Sequence, residues 1–440
     1  MSREERPEQE RGASGPLDGP RGKRLSRREA FRLAGAAGTG LALGAGGMGV
    51  AARGSRAEEA SPDAEAVPFY GAHQAGIATP SQHRLHFTAF DVVTEDRDEL
   101  RDLLREWSEA AALMCAGEPV GDVGGAGFSP YLPPDDTGEA IGHPASRLTI
   151  TFGFGPTLFE RDGEDRFGLA ARRPKALAPI PPMPGDALRP ELSGGDLCVQ
   201  ACADDPQVAF HAVRNLARIG RGVVEMRWSQ MGFGRTSSTS RQQETGRNLF
   251  GFKDGTNNLK AEDERAMDRN VWVGLSEGPG WMEGGTYLVS RRIRMLIEVW
   301  DRSSLDDQEK TFGRHKVSGA PIGREGEFDA VDLEAEGEDG EPLVPENSHV
   351  RLGAEGGESI LRRSYSYTDG IDRERGQLDA GLFFVCFQRD PGRQFVPMQR
   401  RMAENDALNE YISHTGSAVF ALPPGAREGG YVGEGLFAGA

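Results

Sequence analysis

Cysteine is scarce in this sequence: 440 residues hold only Cys115, Cys198, Cys202 and Cys386. Cys198 and Cys202 lie in the apolar run LCVQACA, which reads as a strand. Four strand residues separate two side chains by about 13 Å, beyond the reach of a disulfide, and C-x3-C is not a zinc spacing. A disulfide-stapled scaffold is therefore excluded, and the cysteines are expected as small buried hydrophobes. Long apolar runs are also missing. The one long uncharged stretch, Leu33 to Ala52, is mostly Ala and Gly and is poor material for a permanent membrane span. Positive charge is short as well. The formal charge is −17, and residues 1–56 hold 11 Lys/Arg against 6 Asp/Glu, leaving 40 basic and 62 acidic residues, or −22, for the rest. So acidic a body repels nucleic acid and anionic membrane surfaces.

What is present begins with an address. Arg21, Lys23 and Arg24 precede Ser26-Arg27-Arg28-Glu29-Ala30-Phe31, the soft Ala/Gly stretch follows, and small residues stand near Ala51 and Ala52. This is a secretory layout, and its S-R-R element resembles the twin-arginine signal, whose cargo is exported already folded. A chain without a disulfide framework suits that route. Residues 1–56 are read as the signal and start of a linker, and the Glu/Ala/Pro-rich 57–66 as linker. The expected destination is periplasmic, cell-surface or extracellular, with no stable membrane span once the signal is removed.

Four later segments share one pattern: an apolar strand, a polar break, then a helix with apolar residues at helical spacing. They start at Leu85–Val92 with a helix over 97–111, at Leu197–Ala203 with a helix after Asp205-Pro206, at Thr286–Trp300 with a helix over 303–312 capped by Ser304, and at Leu382–Gln388 with a helix over 394–403. Further strands are expected at 148–152 and 222–228. Two strand–helix units with intervening antiparallel strands make a ferredoxin-like unit. The expectation is an α+β chain of two ferredoxin-like domains, residues 67–235 and 236–440, divided in the polar stretch TSSTSRQQETGR. The glycines at 121–127 follow no strand and open no helix, so they form a loop and not a nucleotide cradle.

Among eight histidines, His83 and His86 read as surface or edge residues, His211 lies in a helix, and His414 is expected in a short C-terminal helix. His83 and His86 stand three apart but flank a strand, and no other histidine has a histidine three or four residues away. His349, in NSHVRL, leads out of a long acidic loop. Two other stretches bear on it. In NLFGFKDGTNN a carboxylate, Asp254, stands between apolar residues and glycines, and Gly255 permits positive φ and close backbone approach; a plain Asp-Gly turn is the alternative. In SILRRSYSY strand alternation puts Ile360, Arg362 and Ser364 on one face. An arginine turned inward must find an anion, unless it sits exposed on an edge strand.

These stretches, with FYGAHQAGI (69–77), HRLHFTAFDV (83–92), LTITFGFGPTLF (148–159), GGDLCVQACADDPQVA (194–209), GRHKVSGAPIG (313–323) and LFFVCFQRDP (382–391), resemble the dye-decolorizing (DyP-type) peroxidase family. The resemblance is to its exported twin-arginine branch of iron-transport-associated peroxidases and deferrochelatases, and it covers about residues 67–440. It implies one haem b per chain, held in the C-terminal domain, and a peroxidase that reduces hydrogen peroxide and oxidises dyes, phenolics or other small-molecule reductants. It implies His349 as axial ligand to the haem iron, Asp254 and Arg362 as catalytic residues, and Gly255, Thr256, Asn257, Arg362 and Ser364 as haem-lining positions. Asp390 is the expected carboxylate behind His349, and Tyr365 and Tyr367 are candidates for carrying electrons to bulky substrates. The alternatives are a deferrochelatase releasing iron from haem in an exported iron-uptake system, and a non-catalytic haem-binding protein. An iron-uptake or copper/redox protein is the expected macromolecular partner. After His349 the sequence departs from the family's Asn-Pro-Arg and reads Gly353-Ala354-Glu355-Gly356-Gly357-Glu358.

Overall fold

In the computed structural model, residues 65–438 are described, apart from residues 339 and 374. The expected signal and most of the expected linker lie outside the described residues. The chain enters through β1 (Arg84–Val92), whose polar break ends in Asp96. The Asp96 carboxylate accepts hydrogen bonds from the Asp98 and Glu99 amides and so caps α1 (Arg97–Cys115). Leu100, Leu103, Leu104, Trp107, Ala111 and Met114 recur at helical spacing on the buried side of α1. β2 (Thr149–Phe154) and β3 (Leu197–Ala203) follow. Asp205 then caps α2 (Pro206–Ile219), with Pro206 in its first turn as the sequence predicts, and β4 (Val224–Arg235) closes the first half.

The second half runs through β5 (Thr286–Met295), α3 (Leu305–Phe312), α4 (His349–Glu355), β6 (Leu361–Arg362), β7 (Tyr365–Asp372), β8 (Gln377–Gln388), α5 (Phe395–Asn405) and β9 (Ile412–Leu422). Ser304 caps α3 by accepting from the Asp307 amide. All ladders are antiparallel, in the order β5-β9-β2-β3-β1-β4-β7-β8-β6, and β8 pairs back onto β5. The sheet therefore closes into a barrel, and the chain is α+β. β6 and the start of β7 pair with β8 in one register, Leu361 opposite Phe387 and Tyr365 opposite Phe383, and this register shifts by one residue between Thr368 and Ile371. The two seams between the halves are narrow. One is the Phe154–Ala421 pair between β2 and β9, the other Phe233–Ser366 and Arg235–Tyr365 between β4 and β7.

Alternation sorts each strand into two faces. One set, including Phe87, Trp228, Leu288, Tyr365, Tyr367, Phe383, Val385 and Phe420, packs as a single apolar cluster together with Cys198 and Cys202. The other set packs under α1 and α2 in the first half. In the second half it faces a cavity: Ile293 and Met295 of β5, Leu382 and Phe384 of β8, Ile412 and His414 of β9. All four cysteines are free and buried, as expected.

Three local expectations are corrected. The strand expected over 286–300 ends at Met295 and a single helical turn, Ile297–Trp300, follows. Trp300 stacks on Phe250 at 4.5 Å and donates its indole N–H to the Phe250 carbonyl, which draws the chain out of the sheet. His414 lies in β9 and not in a helix, because the polar-apolar alternation of ISHTGSAVFAL is that of a strand with one face inward. His86 is buried and not at the surface, its Nε2 2.7 Å from Ser229 Oγ and its ring 5.8 Å from that of Phe210.

Candidate haem-binding and peroxide site

The cavity encloses about 660 Å³ between the outward face of β5, β8 and β9 and the helices α4 and α5. That volume falls in the range of small-molecule and cofactor sites. From α5 come Phe395, Met398, Gln399 and Met402, spaced by three or four residues so that one helix face lines it. Phe312, at the end of α3, and Leu408 complete the apolar wall.

His349 opens α4 and lines this cavity, with its ring 5.8 Å from that of Phe312. Its Nδ1 lies 2.7 Å from Asp406 Oδ2. The other oxygen of Asp406 accepts from the Leu408 amide at 2.9 Å, so this buried carboxylate is held on both sides. Burial pulls the imidazole pKa down, but the charge and hydrogen bond of Asp406 outweigh it and leave His349 above its ordinary value. With Nδ1–H donating to the carboxylate, Nε2 keeps its lone pair for a metal. The expected carboxylate behind His349, Asp390, is corrected to Asp406. Asp390 accepts from the Gly392 amide at 2.9 Å and pairs with Arg393 at 3.4 Å, which uses it in the turn that leads into α5.

Asp254 and Arg362 meet in the same cavity, Arg362 Nη1 donating to Asp254 Oδ1 at 3.0 Å. Both lie close enough to His349 to act on it electrostatically. The backbone of Arg362 is clamped by Asn258, whose Oδ1 accepts from the Arg362 amide at 2.7 Å and whose Nδ2 donates to the Arg362 carbonyl at 2.8 Å. The loop carrying Asp254 turns on two glycines at positive φ, Gly251 at 85° and Gly255 at 83°. Gly255, Thr256 and Asn257 all line the cavity. Ser364 does not. It shares the outward face with Arg362 but lies beyond the cavity edge, and its hydroxyl accepts from the Val385 amide at 3.1 Å. Of the arginine pair, Arg362 faces the cavity, whereas Arg363 turns the other way, fully buried, and donates to the Thr79 carbonyl and to Gln82 Oε1. Tyr365 and Tyr367 are fully buried in the barrel cluster and do not reach the surface.

Sequence reasoning missed Asp406, Asn258, Arg314 and Glu327. Arg314 is buried at the cavity wall, donating to the carbonyls of Gly319 at 2.6 Å and Glu327 at 2.9 Å. Glu327 accepts from Lys253 Nζ and from Thr256 Oγ1 at 3.1 Å. Burial pulls the Glu327 carboxyl upward, but the bonds from Lys253, Thr245 and Thr256 outweigh it and hold it below the usual range, as the anion. Of the four, only Asp406 left a sequence signal, an Asp before a short turn, and nothing in that signal points to a histidine 57 residues away.

The donor set fits haem. Among the described residues no cluster of three or more His, Cys, Asp or Glu could hold a bare metal ion. A single carboxylate-oriented imidazole suits an iron whose other nitrogen ligands would come from a porphyrin. The apolar walls suit the macrocycle, and Arg314 gives one end a positive charge for its carboxylates.

Residues 74–234 match the family described as Dyp-type peroxidase, N-terminal, and residues 245–427 match Dyp-type peroxidase, C-terminal. The dye-decolorizing peroxidase of Thermobifida fusca (strain YX) is 41% identical over 392 residues, spanning 86% of this chain and 85% of its own. The deferrochelatase of Escherichia coli (strain K12) is 38% identical over 378 residues, 84% of this chain and 86% of its own. Among solved structures, an X-ray generated oxyferrous complex of DtpA from Streptomyces lividans aligns with a TM-score of 0.77 at 43% identity, covering 85% of this chain and 98% of that one.

Proposed function

The chain belongs to the Dyp-type peroxidase family and is a haem peroxidase, and from that premise we propose that His349 holds the haem iron while Asp254 and Arg362 act on peroxide. Its substrates are a peroxide and a reductant. The observation that carries the assignment is the convergence on one cavity of an imidazole bonded to a buried carboxylate and of a 3.0 Å arginine–carboxylate pair.

Bound haem b would supply the redox-active iron needed for two-electron reduction of peroxide by the reductant. His349 Nε2 binds that iron, and Asp406 fixes the tautomer and strengthens the imidazole as a donor. Arg314 and Asn257 hold the haem carboxylates, while Gly255 and Thr256 keep the backbone close to the macrocycle. Asp254 Oδ2 takes the proton from the inner peroxide oxygen and returns it to the outer one. The Arg362 guanidinium, kept in place by Asn258, stabilises negative charge on the departing oxygen as the O–O bond breaks.

The test is spectroscopic. Reconstituted wild-type protein should show a Soret band that changes on adding hydrogen peroxide, and His349→Ala should retain no haem through gel filtration. Arg362→Ala should load haem normally and react with peroxide about 10²–10³ times more slowly. A normal Soret band in the first variant, or a wild-type rate in the second, would sink the assignment.

A second reading, deferrochelatase activity, is favoured by the 38% identity to the E. coli protein. Free protoporphyrin released on incubation with haem would distinguish it. The S-R-R signal supports export by the twin-arginine route to a periplasmic, cell-surface or extracellular destination, with an iron-uptake or copper/redox protein as partner. The strand orders β2-β3-β1-β4 and β9-β5-β8-β7 support two ferredoxin-like domains with a boundary near 235/236.

A further inference from the structure

The cavity rim includes a segment that the peroxide chemistry leaves unused. Residues 327–331 line it, with the Phe328 side chain largely in solvent. Residues 325–335 form neither helix nor strand, so side-chain anchors hold them in place. At one end Glu327 takes hydrogen bonds from Lys253 and Thr256, on either side of Asp254–Gly255, and Arg314 donates to its carbonyl. At the other end the Leu333 carbonyl accepts from Arg351 Nη1 at 2.9 Å. Arg351 lies two residues after His349 on α4. The segment is thus fastened to the Asp254 loop on one side and to the His349 helix on the other.

We infer that residues 327–333 form a strap across the cavity mouth, and that Glu327 is the positioning residue whose hold on the Asp254 loop sets how fast haem enters and leaves. The inference rests on haem occupying this cavity. Because Glu327 is held as the anion, its bond to Lys253 is charge-assisted and directional. A segment with no backbone ladder opens locally when such an anchor is removed. The strap would also screen the mouth from bulky reductants, which would have to pass Phe328.

The experiment uses the haem-loaded protein. Haem transfer to excess apomyoglobin is followed at the Soret band for wild type, Glu327→Ala, Glu327→Gln and Lys253→Met. In parallel, a glutamate-specific protease probes cleavage at Glu325, Glu334 and Glu336, sites that every variant keeps. Glu327→Ala and Lys253→Met should each release haem about tenfold faster or more, with faster strap cleavage and an unchanged Soret position. Their double variant should be no faster than either alone, since both break one bridge. Glu327→Gln should fall between, because its amide oxygen still accepts from Thr256. Wild-type release rates in both single variants would overturn the proposal, as would faster release with unchanged strap cleavage. If Glu327→Ala does not fold, Lys253→Met breaks the same bridge from the other side and is read alike. A wild-type protein that takes up no haem would instead defeat the haem assignment itself.

Discussion

At the residue scale, the behaviour of the site turns on a carboxylate that carries no chemistry of its own. Asp406 holds His349 with one oxygen and the Leu408 amide with the other. Asp406→Asn keeps the shape and the turn but removes the charge, so it should weaken haem retention about 10–100-fold. It should also raise the ferric/ferrous potential, measured by spectroelectrochemistry; an unchanged potential would show that Asp406 only fills space. Two other buried histidines make the fold sensitive to acid. Burial pushes His86 down to about 4, and burial with Arg291 nearby pushes His414 down to about 3. In the folded chain both stay neutral where the unfolded chain, near 6.5, already takes up protons, so stability falls as pH drops below about 6.5. For His86 the loss between pH 7 and pH 5 is about 2 kcal/mol at 1.4 kcal/mol per unit. His86→Gln should flatten the pH dependence of the urea midpoint by about that much; an unaltered slope would mean that the imidazole is not neutral when folded.

At the scale of elements, the site depends on a turn that only glycine makes comfortably. Gly255 sits at φ 83°, and a Cβ there would stand 3.0 Å from Ser237 Cα. Gly255→Ala is strained in both backbone and space, so about 1–2 kcal/mol of stability should be lost. Because the strain falls next to Asp254, reaction with peroxide should slow while haem loading through His349 persists. Equal loss of both would place Gly255 in general packing instead. Strands show the same dependence on context. β8 and β9 turn one face to the barrel cluster and the other to the cavity, so Leu382, Phe384, Ile412 and His414 face the site and not the barrel cluster.

At the largest scale, the described residues form a closed sheet whose two halves meet at two narrow seams, β2–β9 and β4–β7. Separated halves would expose those strand edges along with the apolar residues that the barrel encloses, which is a template for association. Residues 67–235 and 236–440 expressed separately should therefore aggregate, and co-expression should restore a soluble, haem-loading pair. A monomeric, haem-binding 236–440 fragment would show that the second half is independently stable. Among the described residues no helix is long and apolar enough to cross a membrane.

Much of this was legible along the chain. Apolar alternation, Asp and Ser caps and the Asp205-Pro206 helix start depend on neighbours a few residues apart, so strands β1 and β3 and helices α1, α2 and α3 could be read directly. That Arg362 and Ser364 share one face and that Gly255 takes positive φ followed from the same short-range rules. Contacts between distant segments were not legible. Asp406 reaches His349 across 57 residues, Asn258 clamps Arg362 across 104, and Glu327 meets Lys253 across 74. Sequence periodicity says which face of an element is buried but not what stands opposite it. The sequence alone determined the capped and strongly patterned elements and the residue types able to do peroxide chemistry; only barrel closure decided which of them share a cavity, because that depends on strand register and not on local preference.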